Sequence, residues 1–196
     1  MKILAIADDE AAVLGEETKR AKIGPVDLVV SCGDLSPEYL SFIATLYGAP
    51  LFYVRGNHDR KIDSAAELGE NLHNHFLTYH GVKFLGFEGS PSYTAKAVQY
   101  QEAEMNFLVN QAIFKSWFLG KPDIIAAHAA PQGIHDGTDH AHRGFPAFNK
   151  AIAYLKPKYF LHGHNHLRYT PLCQSRVTRS GDTFVINVYG YYVINL

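Results

Sequence analysis

Five short apolar runs in this 196-residue chain each stop at a side chain able to hold a metal ion or move a proton. Ile3 to Ala7 ends at Asp8, Leu28 to Ser31 at Gly33-Asp34, and Leu51 to Val54 at Gly56-Asn57-His58-Asp59. Ile124 to Ala127 ends at His128, and Tyr159 to Leu161 at Gly163-His164-Asn165-His166. Runs of this length, bounded by glycine and polar residues, read as buried strands. Beyond the carboxyl ends of the strands in an α/β sheet the loops converge while the strands hold them rigidly, so the five clusters are expected to meet in space.

Helical patterns lie between the runs: Glu10 to Lys22, stopped by Gly24-Pro25; Pro37 to Tyr47, opened by Ser36; Glu102 to Leu119; and Pro146 to Leu155. Strand and helix alternate, which favours an α/β fold. Thr78 to Phe87 reads as a hairpin turned at His80-Gly81, and the chain from Arg168 onward alternates tightly, with a turn at Ser180-Gly181-Asp182. Both features predict a second, partly antiparallel sheet. No repeat or linker interrupts the pattern, and 47% hydrophobic residues over this length suit a single domain spanning 1–196. The irregular segments Gly89 to Gln101 and Ala130 to Phe145 are rich in Gly, Pro, Tyr and His and are expected to form walls of a site.

Lysine plus arginine number 18 and aspartate plus glutamate 19, so no global positive field draws the chain to nucleic acid, and an anionic ligand must be held locally. The apolar N-terminal run meets Asp8, Asp9 and Glu10 too early for a signal-peptide core, and no stretch is long enough to span a bilayer. The expectation is a cytoplasmic protein with no membrane partner. Cys32 and Cys173 are too few for a disulfide framework, and both are expected reduced, with Cys32 in the core.

Eleven histidines are the compositional outlier, and their positions carry the chemistry. Carboxylates can bridge two cations, imidazoles bind through a neutral nitrogen, and the Asn57 amide oxygen adds a neutral ligand. Taken singly, each is ordinary: an aspartate after a strand is usually a turn or cap residue. Gly-His-Asn-His says more, because alternate residues of an extended segment point the same way, so that His164 and His166 face one centre. By the same alternation His162 points away. Glycines at 33, 56 and 163 are expected to let the backbone turn sharply.

In order and approximate spacing, Asp8, Gly33-Asp34, Gly56-Asn57-His58-Asp59, His128 and Gly163-His164-Asn165-His166 resemble the five motifs of the calcineurin-like metallophosphoesterases. The resemblance runs from the first strand to near residue 166 and implies two mixed β-sheets packed face to face and flanked by helices, a four-layer αββα sandwich. It also implies two divalent metal ions, with Asp8 and His166 on the first, Asp34 bridging, and Asn57, His128 and His164 on the second. Manganese is the expected metal, with iron, zinc or magnesium as alternatives. A hydroxide between metals about 3.5–4 Å apart would attack phosphorus in line. His58 would stabilise the developing charge or protonate the leaving oxygen, help typically worth about 100- to 10,000-fold. The expected substrate is a small phosphorylated molecule, monoester or diester.

The chain departs from that pattern in two places. The family motif Asp-x-His reads Asp8-Asp9-Glu10 here, so Glu10 replaces the expected first-metal histidine. A glutamate oxygen reaches as far from Cα as the distal imidazole nitrogen, but it adds negative charge, favouring harder metals and a less acidic bound water. Alternatively, Glu10 sits in the first turn of a helix, where an acid suits the dipole. Pro37 stands where many members carry an acid, leaving Asp59 and Glu38 as the candidate carboxylates to orient His58.

In the loop Gly133 to Gly144, Arg143 is the candidate for a two-pronged grip on phosphate, and Tyr93, Tyr100 and Gln101 are candidates for a leaving-group pocket. His73, His75 and His80 fit none of the motifs and read as surface or local-packing residues. Two competing functions remain: a binding or scaffold protein that keeps the fold with a damaged metal site, as the related retromer subunit does, and a nuclease. The nuclease would need a basic groove that no run of residues here supplies.

Overall fold

The computed structural model describes residues 1–59, 68–94, 98–166 and 175–196. Cys173 and the start of the alternating C-terminal segment, from Arg168, lie outside the described residues. In chain order come β1 (Lys2–Ala7), a 3-10 turn (Ala12–Gly15), α1 (Glu17–Ile23), β2 (Leu28–Ser31), α2 (Pro37–Tyr47) and β3 (Leu51–Tyr53). β4 (Glu70–Asn71), β5 (Leu77–Tyr79), β6 (Val82–Phe87), β7 (Ser90–Pro91), β8 (Gln99–Tyr100) and α3 (Glu102–Leu119) follow. The chain continues through β9 (Ile124–Ala127), α4 (Pro146–Leu155), β10 (Tyr159–His162), β11 (Val177–Ser180), β12 (Thr183–Asn187) and β13 (Gly190–Asn195).

The strands build two large mixed sheets, ordered β13-β1-β2-β3-β4 and β11-β12-β10-β9-β6-β5, beside the short pair β7-β8. The interior strands run parallel, and β13, β5 and β11 add antiparallel edges. Parallel strands covered on both faces read as near-continuous apolar runs, which is why these five stood out in the sequence. Side-chain alternation then sorts them. β1 sends Ile3, Ala5 and Ala7 between the sheets and Leu4 and Ile6 outward; β9 sends Ile124 and Ala126 inward and Ile125 and Ala127 outward. Ile23, Leu40 and Ile43 of α1 and α2 cover the first sheet, while Met105, Val109 and Phe148 of α3 and α4 cover the second. The result is the αββα sandwich, with the five ligand-bearing strands divided three and two between the sheets.

The turns follow their chemistry. His80 (φ 48°) and Gly81 (φ 79°) both take the left-handed conformation that a two-residue hairpin loop demands, between Tyr79 and its partner Val82. Ser36 caps α2 by accepting the Tyr39 N–H, Pro37 opens the helix, and Gly48 (φ 61°) closes it.

The predicted helix from Glu10 to Lys22 differs. Ala12–Gly15 form one 3-10 turn, Glu16 is extended, and α1 begins only at Glu17. Leu14 is fully buried against the outer face of the first sheet, and Gly15 lies where an added Cβ would touch the Phe42 ring. Packing of this segment overrides its helical period, and glycine is a poor helix former in any case.

Candidate metal centre

The strand ends of both sheets close on one cleft of about 400 Å3, lined by Asp8, Asp34, His58 and Tyr93 on one side and by Ala141, His142, His164 and His166 on the other. Asn57 and His128 lie buried at its floor. Backbone bonds lock neighbouring strand ends together: Asp8 N–H to the Gly33 carbonyl (3.1 Å), Val54 N–H to that of Ser31 (3.0 Å), and Gly163 N–H to that of His128 (3.0 Å). The first sheet contributes Asp8, Asp34, Asn57 and His58; the second contributes His128, His164 and His166.

Three of these residues are left-handed: Asp8 (φ 63°), Asp34 (φ 57°) and His164 (φ 64°). Asp, Asn and His enter that region more readily than other non-glycine residues, so the chain turns at the ligand itself. His164 and His166 therefore reach one cleft through a bend and not through an extended segment. The glycines also act differently from the expectation. Gly33 (φ 96°) supplies a turn, whereas Gly56 and Gly163 supply space: a Cβ on Gly56 would overlap Asp34 Oδ1, and one on Gly163 would overlap Asp8 Oδ2.

The tightest group is Asp34, His128 and His164, whose ligand atoms all lie within 4.8 Å of one another. His128 Nδ1 sits 2.8 Å from the Cys32 carbonyl, which can only accept, so Nδ1 carries the proton. Nε2 then faces Asn57 Oδ1 at 2.9 Å and Asp34 Oδ2 at 3.4 Å. The Asn57 amide nitrogen donates to the Tyr93 hydroxyl (2.9 Å), which keeps Oδ1 turned inward. His164 Nε2 donates to the Ala141 carbonyl (2.8 Å), leaving Nδ1 as its ligand nitrogen. Two imidazoles held by carbonyls, with His128 Nε2 aimed at oxygen acceptors, make a donor set that suits a cation at its centre.

Electrostatics express the same need. Burial alone would raise the Asp34 carboxyl, but His128 beside it and the His58 N–H (2.8 Å) hold it down to about 2. Burial likewise opposes charge on His128, yet Asp34, and behind it Asp8, push the imidazole up to about 9. The two shifts are reciprocal: Asp34 favours a charged His128, and His128 a charged Asp34. Burial, reinforced by His128, drives His164 down to about 3, so it stays neutral. Burial raises Asp8 to about 7, although both its oxygens accept the His164 N–H at 3.0 and 2.9 Å.

The remaining predicted residues separate. His166 has Nε2 3.9 Å from Asp8 Oδ1 and lies against the Tyr189 ring. His58 is exposed on the rim. Asp59 is engaged with the backbone, its Oδ2 accepting the N–H groups of Gly56 (2.7 Å) and Asp34 (3.0 Å). Glu10 is exposed, and its Oε1 accepts both the N–H and the hydroxyl of Ser36, so this acid supports the start of α2. Arg143 lines a neighbouring cleft of about 220 Å3 with Tyr100, Gln101 and His140.

Two residues on the walls gain roles that motif spacing did not single out. Tyr93 orients Asn57. His142 lines the cleft with Nδ1 2.9 Å from Asp139. Tyr100 donates instead to Glu88 (2.7 Å), which also takes a bidentate bond from Arg55, with His73 alongside. That ion pair anchors the residue before Gly56, and no motif in the sequence marked it. His162 does point away, bonding His135 at 3.0 Å.

Two stacked mixed sheets whose carboxyl ends close on a cup of carboxylate, amide and imidazole define a metal-site α/β sandwich. The chain belongs to the calcineurin-like phosphoesterase family, whose model matches residues 2–168. No curated protein sequence matches it. One solved structure superposes with a TM-score of 0.70 at 18% identity, covering 98% of this chain and 94% of that one. TT1561 of Thermus thermophilus superposes at 0.66 with 16% identity, over 96% and 89%. An archaeal phosphodiesterase aligns at 0.46 with 15% identity, over 97% and 84%. At such identities the first two superpositions establish the fold alone. Among the described residues, no helix is long and apolar enough to cross a membrane.

Proposed function

We propose that the protein is a metal-dependent phosphoester hydrolase acting on a small phosphorylated substrate. The observation that carries this reading is the convergence of Asp34, His128 and His164 ligand atoms within 4.8 Å in an open cleft, with His58 on its rim. Asp34, Asn57, His128 and His164 would hold one divalent ion, and Asp8, His166 and a shared Asp34 the other, with manganese the metal expected. Bound metals would supply polarisation of the phosphoryl oxygens and a lowered pKa for a reacting water.

The chain's own residues do the rest. The Asp34 carboxylate, held ionised at the floor, repels a phosphate unless a cation stands between them. His58, tied through its backbone to Asp34, presents its imidazole at the rim, where a leaving oxygen departs, and donates a proton there. Tyr93 keeps the Asn57 amide oxygen inward, and His142, braced by Asp139, faces the substrate from the opposite wall.

The test is metal analysis followed by manganese-dependent hydrolysis of an aryl monoester and a bis-aryl diester. Turnover of either supports the reading. His58→Ala is expected to keep its metal content and lose about 100- to 10,000-fold in rate. The scaffold reading draws on one observation, the engagement of Glu10 with Ser36. It would prevail if metal-loaded protein turned over nothing in a panel of monoesters, diesters and cyclic nucleotides.

A further inference from the structure

Helix α3 packs on the second sheet through Met105, Val109, Ala112 and Ser116. Its opposite side is not polar. Phe107, Phe114, Trp117 and Phe118 are 61%, 57%, 74% and 75% exposed, and the Phe114 ring lies 5.6 and 5.4 Å from those of Trp117 and Phe118. Positions 107, 110, 114 and 117 recur at alternating spacings of three and four, the seam spacing of paired helices, with Asn110 the polar member that sets register. Tyr154 of α4 is 60% exposed, and its carbonyl accepts from Lys121 just past the end of α3, so the C-terminal end of α4 lies near this face. An aromatic stripe of this size on the solvent side of a helix is ordinarily covered by a partner.

We propose that this face of α3 is the interface of a symmetric homodimer, occupied by the same face of a second copy of this chain. With each aromatic side chain carrying about 150–250 Å2, the four exposed rings of α3 alone present on the order of 530 Å2 of surface. That is about two thirds of the roughly 800 Å2 per partner of a standard stable interface. A twofold interface sets a patch against itself. An uncharged aromatic stripe meets its copy without like charges opposed. The nearby cations are already engaged: Lys83 donates to the Leu119 carbonyl, Lys115 to that of Asn74 and Lys121 to that of Tyr154. The helix itself carries one lysine against two glutamates, so it lacks the Lys/Arg-rich face with which a helix lies on an anionic membrane. No residue lining the metal cleft belongs to α3, so the two surfaces are separate.

Trp117 is the single tryptophan of the chain and reports directly on this face. Sedimentation equilibrium of the full chain should give twice the chain mass, and tryptophan emission should move to shorter wavelength as concentration rises. Phe114→Glu should sediment at the chain mass, with emission at the solvent-exposed position at every concentration and an unchanged circular dichroism spectrum. Phe118→Glu, at a more exposed position, repeats the test should the first variant fold poorly. Wild-type protein at the chain mass up to its solubility limit, or a dimer undiminished by either folded variant, would overturn the proposal. So would a wavelength shift that arises only on adding phosphatidylserine vesicles.

Discussion

On one side of the cleft, Asp34, Asn57, His128 and His164 are already arranged around a common point, each imidazole fixed by a main-chain carbonyl. On the other side, Asp8 gives both oxygens to the His164 N–H, His166 is 37% exposed, and Glu10 is turned to Ser36. Fixation explains the difference more than burial does. His128 is fully buried and held by both sheets; Asp8, its side chain 1% exposed, is as buried but has its oxygens taken up by the His164 N–H, and only His166 and Glu10 lie towards a solvated edge. Residue type at a strand end thus nominates a ligand, and packing decides whether it is preorganised.

The largest expected effect tests the shared residue. Asp34→Asn should abolish binding in both halves, weakening metal affinity by more than the roughly 100-fold limit for loss of an outer-shell partner. Calorimetric titration with manganese checks it, and retention of one tight site would show that the halves do not share Asp34.

A pair of glycine variants separates the halves without touching a ligand. Gly56→Ala drives a methyl group into Asp34, and Gly163→Ala drives one into Asp8. The first should lose all tight metal and the second only part of it, measured as bound metal after desalting. Equal losses would erase the distinction.

Smaller in scale is the pH dependence of the metal-free protein. His128, raised to about 9 from 6.5, contributes stability that is complete below pH 6.5 and lost as pH rises through 9. His135, His162 and His164, lowered by burial to about 4, 3 and 3, act oppositely, so stability due to them rises up to pH 6.5. Asp8, raised to about 7 from 3.8, offsets part of that gain. Metal-free melting temperatures should therefore peak near neutrality and fall towards pH 9, and saturating metal should remove the alkaline fall. An alkaline fall that persists with metal bound would place its cause outside the centre.

Smallest is Glu10→Ala, expected to leave metal content unchanged and lower the melting temperature by a few degrees through loss of the Ser36 contacts. Loss of a metal in this variant would show that Glu10 leaves Ser36 to coordinate.

Much of the fold was legible because strands buried on both faces must be apolar throughout and must stop at polar turns. Ile124 to Ala127 could be read that way with no other information. The break at Gly15-Glu16 was not, because it depends on the burial of Leu14 against the first sheet and on the Phe42 ring beside Gly15. The candidate ligands were legible through residue type after each strand. The separation of Arg143 from the metal cleft, the approach of His142 and the bond from Asn57 to Tyr93 were not, because long loops carry no periodicity from which to place a side chain.

The sequence by itself determined the strand-helix alternation, the order of the candidate metal-binding residues and the family, since these rest on local period and residue chemistry. Only the tertiary structure decided that the five strands divide between two stacked sheets, that Gly56 and Gly163 serve close approach and not turning, and that Glu10 is bonded to Ser36. Each of those depends on atoms far apart in the chain meeting at van der Waals or hydrogen-bond distance, and no local pattern encodes such a meeting.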